Sequence, residues 1–453
     1  MVIVSIPFKS SKQLFVMPRR YFSPFPNKKS GRTNEKMTMT TSKTSKLISN
    51  SISQHQGYLD VTFQPNKRDS IHRWYPYVEG YSGKFVSRIL NELGINRGNV
   101  FDPFGGCGTT AVEASLMGID SLSVDVNPLM CFVAEVKSFF KYSKRSVDYW
   151  FQRLMEEMED FSPDNTPADI LNPLFSDKAY FSSRALEEVS FLKWRIAQIK
   201  NRPTRMFFLL ALASILVKVS NLKRAPDLKY RNDNKILPNP FEEFLKAATW
   251  MRMDLDEIPK TALGKATIVC DNIKSPRRLP SRSLPRFDVA ITSPPYLNGT
   301  NYCRNTKIEQ WILDFIREKE DLARLRREII TAGINSAHMG KPLATPFKRV
   351  NEIVQKIAIT AYDRRIPVMI SSYFKDMHKA MTNIHRLLAD QCNLIMVIGD
   401  SFFGDTYIPT DEILSEIAGG IGFNTLEMRT VRERRSRSGY PLRETILFLK
   451  KQG

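Results

Sequence analysis

Short runs of apolar residues alternate along the chain with longer segments in which apolar residues recur every three or four positions. The short runs have the length and bounding turn residues of buried strands, and the longer segments have the period of amphipathic helices. A strand, a helix and a second strand open the pattern, an order typical of a parallel sheet. The predicted strands cover 98–101, 121–124, 266–270, 287–292, 393–398, 424–429 and 445–449, and the first predicted helix covers 109–117.

The last two predicted strands are joined by the basic sequence VRERRSRSGYPLR at 431–443. We interpret this sequence as a loop, because it contains glycine and proline between two strand-like runs. Strands joined in this way pair in antiparallel fashion, so we expect them to close the carboxyl-terminal end of the sheet.

Residues 141–264 interrupt the alternation with long helical patterns. These patterns cover 184–199, 206–219 and 240–253. We therefore predict one α/β domain built from 58–140 and 265–453, with 141–264 as a helical insertion. The longest apolar run, at 206–217, has 12 residues, fewer than the roughly 18 that a membrane-spanning helix requires. It predicts a buried core helix.

The chain carries a formal charge of +20 over its 453 residues, with 42% apolar residues. The apolar content suffices for a large core, and the charge predicts a polyanionic partner such as nucleic acid. Residues 1–59 contain ten Lys or Arg and one acidic residue, so +9 of the charge lies there. We predict a disordered basic extension at 1–57. A transit peptide, or a start at Met17 or Met37, would also account for this segment.

The chain has five cysteines, and none of them forms a C-x-x-C pair. This usage predicts neither a disulfide framework nor a metal knuckle and favours a reducing compartment, the cytoplasm.

A glycine-rich turn, VFDPFGGCGTT at 100–110, follows the first predicted strand. Its glycines permit a tight turn and a close approach of the backbone to a ligand. The helix that begins at Thr109 offers unpaired N–H groups to an anion. A dinucleotide-binding loop is the competing interpretation, but its G-x-G-x-x-G spacing differs from the G-G-x-G found here.

Acidic residues end the second and third predicted strands. Asp125 follows the glycine turn by about 20 residues, a position from which a carboxylate can accept hydrogen bonds from ribose hydroxyls. Asp271 is placed to accept from an adenine amino group. Each could instead be a turn residue. Because the carboxyl ends of parallel strands meet at one edge, we expect the two carboxylates and the glycine turn to form one crevice.

The sequence TSPPY at 292–296 follows the strand-like run FDVAIT. An ordinary proline turn is the simplest interpretation of Pro294 and Pro295, but the position at a strand end favours a site. Together with DPFGGCGTT, SVDVNP and CDN, this sequence resembles the S-adenosylmethionine-dependent DNA amino-methyltransferases, and TSPPY resembles their cytosine-N4 branch.

The resemblance implies a Rossmann-like seven-stranded sheet, S-adenosylmethionine as the cofactor, double-stranded DNA as the substrate and a cognate restriction endonuclease as a further partner. It implies no metal. The residues assigned to the cofactor are Asp102, Pro103, Phe104, Gly105, Gly106, Gly108, Thr109, Asp125 and Asp271. The residues assigned to catalysis are Ser293, Pro294, Pro295 and Tyr296.

The chemistry of an exocyclic amino group explains this catalytic loop. The lone pair of the amino nitrogen is delocalised into the ring, so the nitrogen is a poor nucleophile. Acceptance of its two hydrogens by the Ser293 hydroxyl and the Pro294 carbonyl would localise the lone pair, and Tyr296 would offer a flat face to a flipped base.

Other activities remain open at the level of the sequence. Adenine-N6 enzymes more often resemble Asp-Pro-Pro-Tyr at this site, so Ser293 favours cytosine without excluding adenine. Carbon-5 methylation is disfavoured, because the Pro-Cys dipeptide of that family does not occur in the sequence. A non-catalytic nucleic-acid-binding protein with the same fold is a third interpretation.

Basic residues in two segments are candidate phosphate contacts. They are Lys223, Arg224, Lys229 and Arg231 in the insertion, and Arg432, Arg434, Arg435 and Arg437 near the carboxyl terminus. Sequence recognition is expected in the insertion or in residues 299–365. Tyr75, Tyr81 and Lys84 resemble an additional cofactor-side motif, and Asn298, Tyr302 and Arg304 lie near the catalytic loop.

Overall fold

A computed structural model of the chain separates into two units, Met1–Asn50 and Ser51–Gly453. All described residues lie in the second unit, and the predicted extension at 1–57 lies outside them. The structure describes residues 61–77, 79–167, 169–224, 228–232, 235–259, 262–279, 286–297, 302–337, 340–436 and 439–453.

Seven strands form one mixed sheet in the order β10-β11-β7-β6-β1-β2-β5. The five strands β7, β6, β1, β2 and β5 are parallel to one another, whereas β11 is antiparallel to both β7 and β10. Their bounds are β1 Asn99–Asp102, β2 Asp120–Asp125, β5 Ala266–Cys270, β6 Phe287–Thr292, β7 Leu388–Gly399, β10 Phe423–Arg435 and β11 Pro441–Lys451. Two small hairpins pair β3 Leu222–Arg224 with β4 Leu228–Tyr230, and β8 Ser401–Phe403 with β9 Thr406–Ile408.

Helices cover both faces of the sheet and form a group beside it. They are α1 Gly83–Glu92, α2 Thr109–Leu116, α3 Pro128–Ser138, α4 Lys144–Glu159, α5 Ser183–Ala197, α6 Arg202–Ile215, α7 Pro240–Asp254, α8 Tyr302–Asn305, α9 Lys307–Ile312, α10 Lys319–Glu328, α11 Lys348–Thr360, α12 Arg365–Leu387 and α13 Thr410–Ile421. Within the described residues, no helix combines the length and apolarity needed to cross a membrane.

Successive strand residues alternate between two apolar cores. Val100 and Val289 pack with α1 on one face, and Phe101 and Ala290 pack with α11, α12 and α13 on the other. Burial on both faces explains the nearly continuous apolar runs of these strands. Because β1, β2, β5, β6 and β7 are parallel, their carboxyl ends lie at one edge of the sheet. The predicted α/β fold with a Rossmann-like seven-stranded sheet is confirmed.

The helices α4 to α7 share a third core with α3 and α9. Phe207, Phe208 and Phe244 are fully buried in this core. The core also contains Trp74 and Tyr75, which precede the first strand in the sequence. The predicted helices at 184–199, 206–219 and 240–253 therefore have an apolar face that other segments cover, whereas their role in DNA recognition stays a prediction.

The expected antiparallel pairing of the last two strands is confirmed, but the expected extent of the loop between them is wrong. Most of the expected basic loop at 431–443 is strand, since β10 continues to Arg435 and β11 begins at Pro441. Part of the charged segment after α6 forms the β3–β4 hairpin. In that hairpin Arg224 forms an ion pair with buried Glu309 and donates a hydrogen bond to the carbonyl of Asn305 at 2.9 Å. This internal pairing argues against Arg224 as a phosphate contact.

Candidate active site

A cavity of about 320 Å³ opens at the carboxyl edge of the sheet, where β1, β2, β5 and β6 end. It brings together the predicted catalytic loop and all but one of the predicted cofactor residues. The lining residues among them are Asp102, Pro103, Phe104, Gly105, Gly106, Thr109, Asp125, Asp271, Ser293, Pro294, Pro295 and Tyr296. Gly108 is the exception, and it faces Ala134 of α3 instead.

Asp102 connects the elements that surround the cavity. Its side chain is buried, and one carboxylate oxygen accepts from the Thr292 hydroxyl at 2.7 Å and the Phe104 N–H at 3.2 Å. The other accepts from the hydroxyls of Thr110 at 2.7 Å and Tyr81 at 3.1 Å. Burial raises the pKa of Asp102, and the four donors oppose this shift. Asp102 thus joins the ends of β1 and β6 to the start of α2.

Asp125 lies at the end of β2 and faces the glycine turn. Its oxygens accept hydrogen bonds from the backbone N–H of Gly106 at 2.9 Å and of Asn127 at 2.8 Å. Removal of the carboxyl group from water raises its pKa to about 6, against the lowering effect of these donors. Because the side chain also lines the cavity, its remaining lone pairs can accept hydrogen bonds from hydroxyl groups of a ligand.

Asp271 performs the turn role that the sequence left open. One oxygen accepts from the backbone N–H groups of Arg277 at 2.9 Å and Arg278 at 2.7 Å, and the other accepts from that of Asn272 at 2.8 Å. The carboxylate also lines the cavity, so the turn role and a ligand contact are compatible. Its contact with an adenine amino group stays a prediction.

The catalytic loop continues directly from β6. Pro294 and Leu297 are buried, and the Leu297 carbonyl accepts a hydrogen bond from the Ser401 hydroxyl at 2.6 Å. Ser293 lines the cavity, and in the described part of the chain its hydroxyl has no hydrogen-bond partner. The loop is therefore anchored on both sides of a serine whose hydroxyl is available to a ligand.

Tyr296 is fixed by a lateral row of residues across the sheet. Arg432 on β10, Glu444 on β11 and Gly399 on β7 occupy paired positions. A Cβ atom on Gly399 would lie 2.9 Å from Cδ2 of Tyr296, so the ring requires a glycine there. The Tyr296 hydroxyl donates a hydrogen bond to Oε1 of Glu444 at 2.9 Å, and Oε2 lies 3.6 Å from Nη1 of Arg432.

Some residues lie elsewhere than the sequence predicted. Tyr81 lines the cavity, but Tyr75 is buried against Glu309 and Lys84 is exposed away from it. Arg304 is exposed on α8. Asn298, Arg437 and the Tyr302 side chain lie outside the described residues.

Sequence reasoning missed Tyr77, Asn127 and Glu444, which also line the cavity. Glu444 carries a weak signal, because it is an acidic residue directly before the apolar run of the last strand. Its place in the cavity depends on the pairing of β11 with β7, which the sequence pattern alone does not specify.

Comparison with known proteins relates the chain to one class of enzyme. No protein-family model matches the chain. The type II methyltransferase M.BsoBI of Geobacillus stearothermophilus is 25% identical over 431 residues, covering 83% of each chain. M.AvaI of Nostoc sp., also a type II methyltransferase, is 25% identical over 399 residues, covering 80% of this chain and 81% of its own length.

A solved structure of a TehB-like SAM-dependent methyltransferase from Corynebacterium glutamicum aligns with a TM-score of 0.27 and 9% identity, covering 82% of this chain and 88% of that one. By its curated relatives, the chain is related over most of its length to the type II methyltransferases.

Proposed function

We propose that the chain is a DNA methyltransferase that transfers the methyl group of S-adenosylmethionine to the N4 amino group of cytosine in double-stranded DNA. One observation carries this proposal: the Ser293 hydroxyl and the Asp125 carboxylate line one cavity at the carboxyl edge of the sheet. The relationship to type II methyltransferases supports the DNA substrate and the place in a restriction-modification system. A cognate endonuclease and a cytoplasmic location belong to the same proposal.

The residues around the cavity fit S-adenosylmethionine. Asp125 offers acceptors for the ribose hydroxyls. Asp271 and Asn272 follow the neighbouring strand β5, where they can contact the adenine. The backbone around Gly105 and Gly106 lets the methionine part approach closely. The bound cofactor supplies an electrophilic methyl group on a sulfonium.

Ser293 and Pro294 activate the amino group in this proposal. The serine hydroxyl and the proline carbonyl accept its two hydrogens, so the nitrogen lone pair localises and points toward the methyl group. S-adenosylmethionine would supply the methyl group to this nitrogen and leave as S-adenosylhomocysteine, and the proton that the nitrogen loses would pass to water. Catalysis therefore depends mainly on positioning. Pro294 and Pro295 support it, because their fixed φ angles stiffen the loop.

Tyr296 holds the base in the proposed reaction. A base that leaves the duplex loses stacking energy of a few kcal/mol, and an aromatic face offsets part of that loss. The hydrogen bond to Glu444 and the contact with Gly399 fix the orientation of the ring before DNA binds.

Labelled methyl transfer tests the proposal. Unmethylated genomic DNA is incubated with the protein and isotopically labelled S-adenosylmethionine, digested to nucleosides and analysed by mass spectrometry. We expect labelled N4-methylcytosine. Labelled N6-methyladenine would keep the mechanism and change the base, and the absence of any labelled nucleoside would contradict the DNA methyltransferase assignment.

The Ser293→Ala protein is the matched control for this assay. We expect it to lose about 100-fold or more of the turnover, the scale of one positioned catalytic group, while S-adenosylmethionine binds as it does to the unmodified protein. An equal loss of cofactor affinity would contradict the role of Ser293.

A further inference from the structure

Arg434 is one of two arginines of β10 that line the cavity. Its side chain is half-buried and lines the cavity beside the catalytic loop. A Cβ atom on Gly399 would lie 2.8 Å from Nη2 of Arg434 and 2.9 Å from Cδ2 of Tyr296. The guanidinium group and the aromatic ring therefore lie side by side over the end of β7.

Arg434 has no acceptor for its guanidinium among the described residues. Its Nε atom is buried without a hydrogen-bond partner, and no ion pair within the described ranges includes the side chain. By contrast, Arg432 lies beside Glu444, and Arg435 is exposed and donates to the Gly439 carbonyl at 3.0 Å. An unsatisfied buried donor costs free energy, so a ligand that supplies acceptors to Arg434 would recover that cost.

We propose that Arg434 reads the target base, by donating hydrogen bonds to N3 and O2 of the flipped cytosine. This inference rests on the proposed function, in which Ser293 and Pro294 engage the N4 amino group. Beside the N4 amino group, the Watson–Crick edge of the same cytosine presents two adjacent acceptors, N3 and O2. The planar guanidinium group carries parallel N–H donors that match two adjacent acceptors.

This assignment also explains a preference for cytosine. Adenine presents one acceptor, N1, beside a C2–H group, so one of the two hydrogen bonds would be absent. A site that leaves a buried polar group unpaired discriminates strongly against such a base. Arg434 is therefore assigned as a specificity-determining residue.

Duplexes with and without the target base test the assignment. After the methylated position is mapped with the unmodified protein, DNA affinity is measured in the presence of S-adenosylhomocysteine for two duplexes, one with cytosine at that position and one with an abasic site. We expect Arg434→Gln to weaken binding of the cytosine duplex by about 10- to 100-fold, as for a bidentate base contact. The same change should alter binding of the abasic duplex less than about threefold.

Two variants serve as controls. Arg434→Lys keeps the charge but lacks the paired donors, so we expect it to behave as Arg434→Gln does. Arg435→Gln removes the neighbouring exposed charge and should affect both duplexes equally. Melting temperatures and cofactor affinities of all variants confirm that they fold and bind the cofactor.

The outcomes separate this inference from the proposed function. Equal losses on both duplexes would assign Arg434 to a phosphate, a loss of cofactor affinity would assign it to the cofactor, and no loss would remove it from the site. Each of these results overturns the inference. A lack of methyl transfer by the unmodified protein would instead remove the proposed function on which the inference rests.

Discussion

At the residue scale, Asp125 is the candidate cofactor contact whose ionisation falls within an accessible pH range. Its pKa is raised to about 6 because the cavity wall withdraws the carboxyl group from water. Ribose hydroxyls donate stronger hydrogen bonds to the ionised carboxylate than to the protonated carboxyl group. Binding below pH 6 must therefore release a proton from Asp125, whereas binding above pH 6 does not.

We predict that the affinity for S-adenosylmethionine rises with pH up to about 6 and is constant above it, where Asp125 is already ionised. Below that pH, the affinity should fall by up to about tenfold per pH unit. Calorimetric titration from pH 5 to pH 8 measures this profile. The Asp125→Asn protein should bind more weakly and lose the dependence, so an unchanged profile in that variant would assign the titration to another group.

At the element scale, the central parallel strands β1 and β6 were predictable because burial on two faces makes each of them a nearly continuous apolar run. The predicted strand 287–292 has the bounds of β6, Phe287–Thr292. The antiparallel pairing of the last two strands was predicted, but their length was underestimated because β10 is an edge strand with mostly exposed residues. Its pairing with β11 also shifts between Thr425 and Glu427 and again between Thr430 and Arg432, which disrupts the alternation.

The sequence predicted the contiguous motifs of the site but not the residues that support Tyr296. The glycine turn and TSPPY are contiguous, so their residue types show their chemistry directly. The support for Tyr296 comes instead from Gly399 and Glu444 on two other strands. Only the lateral register of β7 and β11 brings these residues together, and a linear pattern does not contain that register.

The contact between the glycine turn and α3 gives a prediction about stability. Gly108 has a φ angle of +81°, and a Cβ atom there would lie 2.7 Å from Cβ of Ala134. We predict that Gly108→Ala destabilises the protein by about 1–3 kcal/mol through strain and overpacking. Thermal unfolding measures the change as a lower melting temperature.

Gly419 on α13 provides the matched control, because a Cβ atom there would meet nothing within 4 Å. Gly419→Ala should stabilise the protein by about 0.5–1 kcal/mol through helix propensity. If Gly108→Ala did not lower the melting temperature either, the turn would not depend on its packing against α3.

At the scale of the whole molecule, the charge of the chain bears on the proposed substrate. The formal charge is +20, and residues outside 1–59 retain +11 of it. Arg435 on β10 and Lys229 on β4 are exposed. Their side chains are therefore available for contacts with phosphates. A protein that neutralises phosphates releases counterions, so its affinity for DNA depends on salt.

We predict that DNA affinity falls by about 10³- to 10⁵-fold between 50 and 200 mM salt, as expected for about six to ten phosphate contacts. Fluorescence anisotropy with a labelled duplex measures this slope. The affinity for S-adenosylmethionine, measured in the same salt series, is the internal control and should change less than about threefold, since a small ligand has no condensed counterion atmosphere to release. Similar slopes for both ligands would mean that salt acts on the fold, and a flat slope for DNA would exclude the basic surface as its binding face.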